Sequence, residues 1–431
     1  MTETVATAVD HDITTDTPYV VVSTDGHVGP SLMGQLRDYC PKQYLEDFDA
    51  YATANGATAA PVGTQEKFAR ASDGLQMAKF SEAAQRLAFE CRGQQDPYER
   101  LKDMDADGVA AEVIFAGGQN DEVLPFLSAL GLSVAGVEAT LSQVGQEIYN
   151  RWLADFVTVE PERHVGLMHV PIWNIDAAVH AVRWGFEHGL RGINFPAPRM
   201  GLLAYNDPAY DPFWQVAEEL DMPLACHSGG GETPLGVAGP GGSEIFKSEA
   251  LWLGRRGLHQ MIFGGVFERF PGLKVVFCEQ RTAWAPQTLP DLDSIYYCPL
   301  ASDSVRQLKS PSEYWHQNCF IGGSFLAPFE VALRDQVGVD NLMWGTDYPH
   351  QEGTWPNTAL ALRYTFNDVP EDDTRKILGE NALRVFNFEA DKIRAISARI
   401  GPKPSDVARP VRPEELPDHR GFAFRERGQY S

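Results

Sequence analysis

Short apolar runs, rich in β-branched and aromatic residues, alternate along this chain with stretches whose apolar positions recur every three or four residues. The first pattern predicts buried strands and the second amphipathic helices. Strands are expected at about 19–24, 111–117, 164–171, 192–196, 223–228, 274–279, 318–324 and 341–347. Helices are expected at about 79–107, 134–158, 175–188, 210–220, 246–269, 283–296, 327–336, 357–366 and 371–386. Strands separated by helical or long connections argue for a parallel sheet. Eight of them favour closure into a distorted (β/α)8 TIM barrel. An open, doubly wound sheet competes, but it would want a glycine-rich nucleotide loop after an early strand. The G-G-G-E-T-P run at 229–234 lacks the G-x-G-x-x-G spacing and follows the fifth strand.

The same pattern divides the chain. Residues 1–17 are polar, Thr-rich and aperiodic, and read as a tail. Residues 18–388 hold the barrel, with a long insertion at about 31–110 after the first strand, including an Ala/Gly-rich loop at 52–63. Residues 389–431 form a C-terminal extension whose end is rich in Pro, Arg and Glu, expected to be disordered or an arm across a neighbouring subunit in a homo- or hetero-oligomer.

Composition narrows the partners. The net charge is -23, from 36 basic against 59 acidic residues in 431, which argues against nucleic acid or an anionic membrane surface as partner. No apolar run approaches the roughly 20 residues of a spanning helix. The N-terminus lacks the basic and apolar regions of a signal peptide. Six scattered cysteines without a C-x-x-C pair suit a reduced, cytoplasmic chain.

Candidate chemistry gathers at the C-terminal strand ends, where barrel active sites lie. The first strand runs into V-S-T-D-G-H, placing Asp25 and His27 two apart and so on one side. A polar Asp-Gly turn is the competing reading. Strand four ends at Asn194, strand five at His227, strand six at Glu279 and strand eight at Asp347, with His350 three residues on. Ionisable groups at corresponding ends of separate strands converge on one mouth, which points to a shared metal site. Alternation then turns Cys226 and Cys278 outward as core filler. His164, His180, His188 and His316 are expected at the surface or in loops, and His169 as a hydrogen-bonded core histidine.

The chain resembles the amidohydrolase superfamily, in the branch of aminocarboxymuconate-semialdehyde and γ-resorcylate decarboxylases. The likeness rests on T-D-G-H at 24–27, R-L-K-D-M-D-A-D-G-V at 100–109, Y-D-P-F-W-Q-V-A-E-E-L at 210–220 and P-L-A-C-H-S-G at 223–229. It continues in F-E-R-F-P-G-L-K-V-V-F-C-E at 267–279, W-G-T-D-Y-P-H at 344–350 and N-A-L-R-V-F at 381–386. The resemblance implies a metal held by Asp25, His27, His227 and Asp347. Two departures stand out: Asp25 sits where many relatives keep histidine, and Glu279 where the decarboxylases often do. The resulting carboxylate-rich set is harder than an all-histidine zinc site and suits Mn or Fe as well as Zn.

Two mechanisms follow on this fold. The first is metal-assisted hydrolysis or non-oxidative decarboxylation of a small carboxylate-bearing compound, with Asp347 or Glu279 as acid–base group. Arg281 is then a clamp on the substrate carboxylate or an ion pair to Glu279, and Asn194 a further substrate contact. The second is a dinuclear Fe or Mn/Fe monooxygenase, with Glu279 and His350 completing a second metal site. A non-catalytic partner subunit is the third reading.

Overall fold

The computed structural model describes residues 16–426 apart from 56–81, 129, 133–135, 233 and 418–421. Most of the loop expected at 52–63 therefore lies outside the described residues. Eight strands form one parallel sheet in sequential order: β1 Val22–Val28, β2 Ala111–Ala116, β3 His164–Met168, β4 Gly192–Asn194, β5 Leu224–His227, β6 Val275–Cys278, β7 Cys319–Ser324 and β8 Leu342–Gly345. The ring closes between β1 and the residues after β8. Asp347 N donates to Asp25 O at 2.8 Å, and His27 N to Tyr348 O at 2.6 Å. The fold is the expected (β/α)8 barrel.

Strand alternation sorts the core into two shells. Val22, Val113, Phe115, Leu167, Ala225, Val276, Phe320 and Met343 fill the barrel, while Ile114, Met168, Leu224, Phe277, Ile321 and Trp344 pack outward under the helices. Cys226 belongs to the outer shell, as expected. Cys278 does not: it sits in the inner shell, its thiol directed at Thr24 O. Alternation holds through Cys278, and Glu279 leaves it with a left-handed φ of 51°. That turn, rather than strand parity, brings the Glu279 side chain to the mouth.

β1 also differs from expectation. Its pairing begins at Val22 and runs through Val28, with an irregularity between Ser23 and Gly26. Asp25 and His27 therefore stand inside a strand whose polar half broke the apolar pattern. Gly26 is required here, because a Cβ would meet the Arg100 guanidinium at 2.9 Å and the Glu112 carboxylate at 3.0 Å.

The insertion supplies that arginine. The helix expected over 79–107 is two, Glu82–Glu90 and Pro97–Asp107, the second capped by Asp96, whose carboxylate accepts from Tyr98 N and Glu99 N. Arg100 reaches from it into the barrel wall. It pairs with buried Glu112 and donates to His27 O at 2.7 Å, and Glu112 also meets His164 Nδ1 at 3.1 Å. His164 is thus buried in an ion-pair network and not at the surface. His169 is buried too, but its ring stacks on Tyr149 and neither nitrogen has a hydrogen-bond partner among the described residues.

The described part of the C-terminal extension folds back on its own barrel. Ile393, on the helix Ala390–Ile400, joins Leu383, Val385 and Phe386 beneath the strands. Val407 and Phe424 enter the outer core. The apolar positions that do this are sparse in a polar segment, so composition concealed them.

Candidate active site

Asp25 and His27 rise from β1, His227 from the last position of β5, and Asp347 from the turn after β8. A carbonyl fixes each histidine by its Nδ1, Ala116 O at 2.9 Å for His27 and Ser228 O at 2.8 Å for His227. That leaves both Nε2 atoms facing the centre, the arrangement a ligating imidazole needs. His27 Nε2 lies 3.3 Å from Asp25 Oδ1 and 3.2 Å from Asp347 Oδ1, and His227 Nε2 lies 3.4 Å from Asp25 Oδ1.

Asp25 Oδ1, both histidine Nε2 atoms and both Asp347 carboxylate oxygens are buried without a hydrogen-bond partner among the described residues. Buried polar atoms left unsatisfied are costly, and five at one point describe a cation site. Asp25, His27 and His227 present ligand atoms within 4.8 Å of one another, as do His27, Asp347 and His350. The mixed carboxylate and imidazole donors fit a divalent metal.

The charges support the same reading. Burial would raise the Asp25 pKa, but the adjacent His227 and His27 imidazoles hold it far below the usual carboxylate range. Burial would lower His227, yet Asp25, followed by Glu279, pushes it up to about 9. Asp347 is lowered, against burial, by His350 and His27.

His350 stacks on His27 with ring centroids 4.1 Å apart. Its Nε2 bonds Gly117 O at 2.7 Å and its Nδ1 faces Asp347 Oδ1 at 3.1 Å. Glu279 stands further out. It pairs with Ser228 Oγ, lies 3.7 Å from His227 Nε2, and belongs to neither donor group. Asn194 commits its amide to Leu130 O at 2.8 Å, bracing the wall of the site.

Above these groups opens a cavity of about 570 Å³. Its walls include Leu130, Phe246, Ala250 and Leu251, with Ser128, Lys247, Glu279, Arg281 and Glu352 as polar members. Arg281, at φ 65°, sets its guanidinium 4.8 Å from the centre of the Phe325 ring.

Three supporting residues escaped the sequence reading. Ser324, at the end of β7, donates its hydroxyl to Asp25 Oδ2. It ends the strand in I-G-G-S, where no ionisable residue drew attention. Glu352 accepts from Gln119 Nε2 at 3.1 Å and lies 3.8 Å from His350 Nδ1, with burial raising its pKa. Its place two residues beyond His350 was a usable signal. Arg100 grips the His27 carbonyl from the insertion, which no local pattern announces.

A family model described as amidohydrolase matches residues 118–388, well over half of the chain. The chain belongs to the amidohydrolase family. The γ-resorcylate decarboxylase of Polaromonas sp. (strain JS666) is 22% identical over 261 residues, spanning 56% of this chain and 75% of that protein. The solved 5-carboxyvanillate decarboxylase of Sphingomonas paucimobilis superposes with a TM-score of 0.59 at 21% identity, over 86% of this chain and 99% of that one. A dihydroxybenzoic acid decarboxylase from Polaromonas sp. JS666, solved with manganese and 2-nitroresorcinol, gives a TM-score of 0.54 at 16% identity, over 86% and 97% of the two chains. The branch that the motifs resemble is the branch these amidohydrolase relatives occupy.

Proposed function

We propose that this amidohydrolase-family protein is a divalent-metal-dependent, non-oxidative decarboxylase of small aromatic carboxylates. The observation that carries the reading is the group of unpartnered buried donors on Asp25, His27, His227 and Asp347 beneath an apolar cavity holding Arg281. The names of its relatives, and the manganese bound in one of them, support the choice of decarboxylation over hydrolysis.

Asp25, His27, His227 and Asp347 would hold the metal, which supplies a Lewis acid that draws electron density from the substrate. Arg281 pairs with an anionic oxygen of the substrate and sets its orientation. Leu130, Phe246, Ala250 and Leu251 exclude water from the ring. In the chemical step the bond between ring carbon and carboxylate breaks, its electron pair stays on the carbon, and CO2 leaves. A proton then replaces it. Burial alone would leave His350 neutral, but the Asp347 charge raises its pKa well above the ordinary value, so the pair stores a proton at the cavity floor. Asp347 passes that proton to the carbon and His350 replenishes it.

The oxygenase reading needs a second complete ligand set. The two donor groups share His27, His350 is engaged with Gly117 and Asp347, and Glu279 belongs to neither group. This arrangement favours one ion. The test is CO2 release from a panel of hydroxybenzoates and 5-carboxyvanillate by manganese-loaded and metal-stripped protein. Release that depends on metal supports the proposal. Turnover of esters or amides without release from any aromatic acid would overturn it.

A further inference from the structure

The C-terminal arm returns to the barrel beside the cavity and inserts Arg425, which is 3% exposed. Its guanidinium pairs with Glu330, itself buried, and donates to Phe325 O at 2.9 Å. It also lies over the Phe325 ring, 5.3 Å from the ring centre, and over Phe329 at 5.7 Å. Arg281 packs on the same Phe325 ring, with its guanidinium carbon 4.8 Å from the centre. One aromatic ring thus meets two guanidinium groups, one from the cavity wall and one from the chain terminus.

Phe325 is a poor candidate for holding this place unaided. It adopts a left-handed φ of 39° immediately after β7, a conformation that L-residues rarely take. Its own N–H bonds Gly345 O at 2.7 Å, and Arg425 secures the carbonyl. Glu330 ties the same corner to the Arg281 strand end, because Thr282 Oγ1 donates to Glu330 O at 3.5 Å. Ser324, the neighbour of Phe325, holds Asp25.

We propose that Arg425 is a positioning residue for the substrate: by fixing Phe325 it holds the Arg281 guanidinium in the orientation that receives the substrate's anionic group. This rests on the role given to Arg281 above. Burial first, and the nearby Arg281 charge among other influences, lower the Arg425 pKa to about 10, consistent with two cations close together. The arm, a polar and weakly patterned part of the sequence, thereby becomes part of the specificity apparatus.

The test pairs chemical labelling with kinetics on the full, manganese-loaded chain. Arg425→Met alone would strand the buried Glu330 carboxylate, so Arg425→Met with Glu330→Gln is made beside it, and Arg425→Lys as the conservative variant. Phenylglyoxal labelling of Arg281, followed by peptide mass spectrometry, reads the order of that side chain whether or not the protein turns over. Labelling is expected to speed up several-fold in the double variant, with manganese content unchanged and Arg425→Lys falling in between. KM for 2,6-dihydroxybenzoate is expected to rise, by up to about 10²-fold, with a smaller change in kcat, the scale of a misplaced positioning group. In an Arg281→Ala background the arm substitutions should add almost nothing. Unchanged labelling of Arg281, or an equal KM penalty in the Arg281→Ala background, would overturn the inference. Absence of turnover in the unsubstituted protein, with labelling still responding to Arg425, would count against the decarboxylase reading and not against the brace.

Discussion

In the proposed mechanism, Asp347 is the residue on which metal binding and proton transfer meet. Its carboxylate is buried between His27 and His350, whose ring nitrogens lie 3.2 and 3.1 Å from Oδ1. Asp347→Asn keeps the shape and removes the charge and the proton carrier. Turnover should fall by about 10³-fold or more, the scale of a lost acid–base group, while circular dichroism stays unchanged. Ser324 acts one bond further out, through Asp25. Ser324→Ala should weaken manganese binding by about 10- to 100-fold, as removal of a ligand's hydrogen-bond partner does, which a competitive chelator titration reads directly. A residual affinity equal to that of the unsubstituted protein would show that Ser324 does not orient Asp25.

Strand ends were the legible part of this chain, and the turns beyond them were not. His227 follows from simple alternation, since Ala225 points inward and Cys226 outward. The same rule holds through Cys278, which therefore faces inward, and fails only at Glu279, because a left-handed residue resets the direction and nothing in F-C-E-Q-R announces it. The apolar run predicts β1 at 19–24, about three residues early, because the strand's second half is made of the buried polar residues of the candidate site and does not carry the apolar period. The Arg100–Glu112–His164 network was illegible for a different reason: it joins the insertion to β2 and β3 over long separations. Removing Arg100 would leave Glu112 charged and buried, so Arg100→Met should destabilise the fold by about 3–5 kcal/mol, measured by urea unfolding. Burial would raise Glu112, but Arg100 and then His164 hold its pKa at about 2, against an ordinary 4.5. A lowered folded-state pKa contributes stability that is complete above 4.5 and lost as pH falls towards about 2. Glu112→Gln should therefore flatten the loss of stability across that window, whatever it does at neutral pH.

The whole molecule places a cation site at the mouth of a barrel, braces one side with an insertion and the other with a returning terminus. Its eightfold alternation of strand and helix made the architecture readable, because each element had its own period. The extension beyond residue 388 was not readable, because a few buried positions such as Ile393, Val407 and Phe424 are diluted by polar neighbours. No helix among the described residues is long and apolar enough to cross a membrane. Stripping the metal should lower the melting temperature, since the bound ion satisfies donors that are otherwise unpaired. The most direct measurement is proton NMR of the product formed anaerobically in D2O by manganese-loaded protein from 2,6-dihydroxybenzoate or a related acid. The decarboxylase reading predicts turnover without oxygen and deuterium at the ring carbon that lost CO2, with both signals gone in Asp347→Asn. A product that forms only with oxygen uptake and carries a new hydroxyl would contradict it.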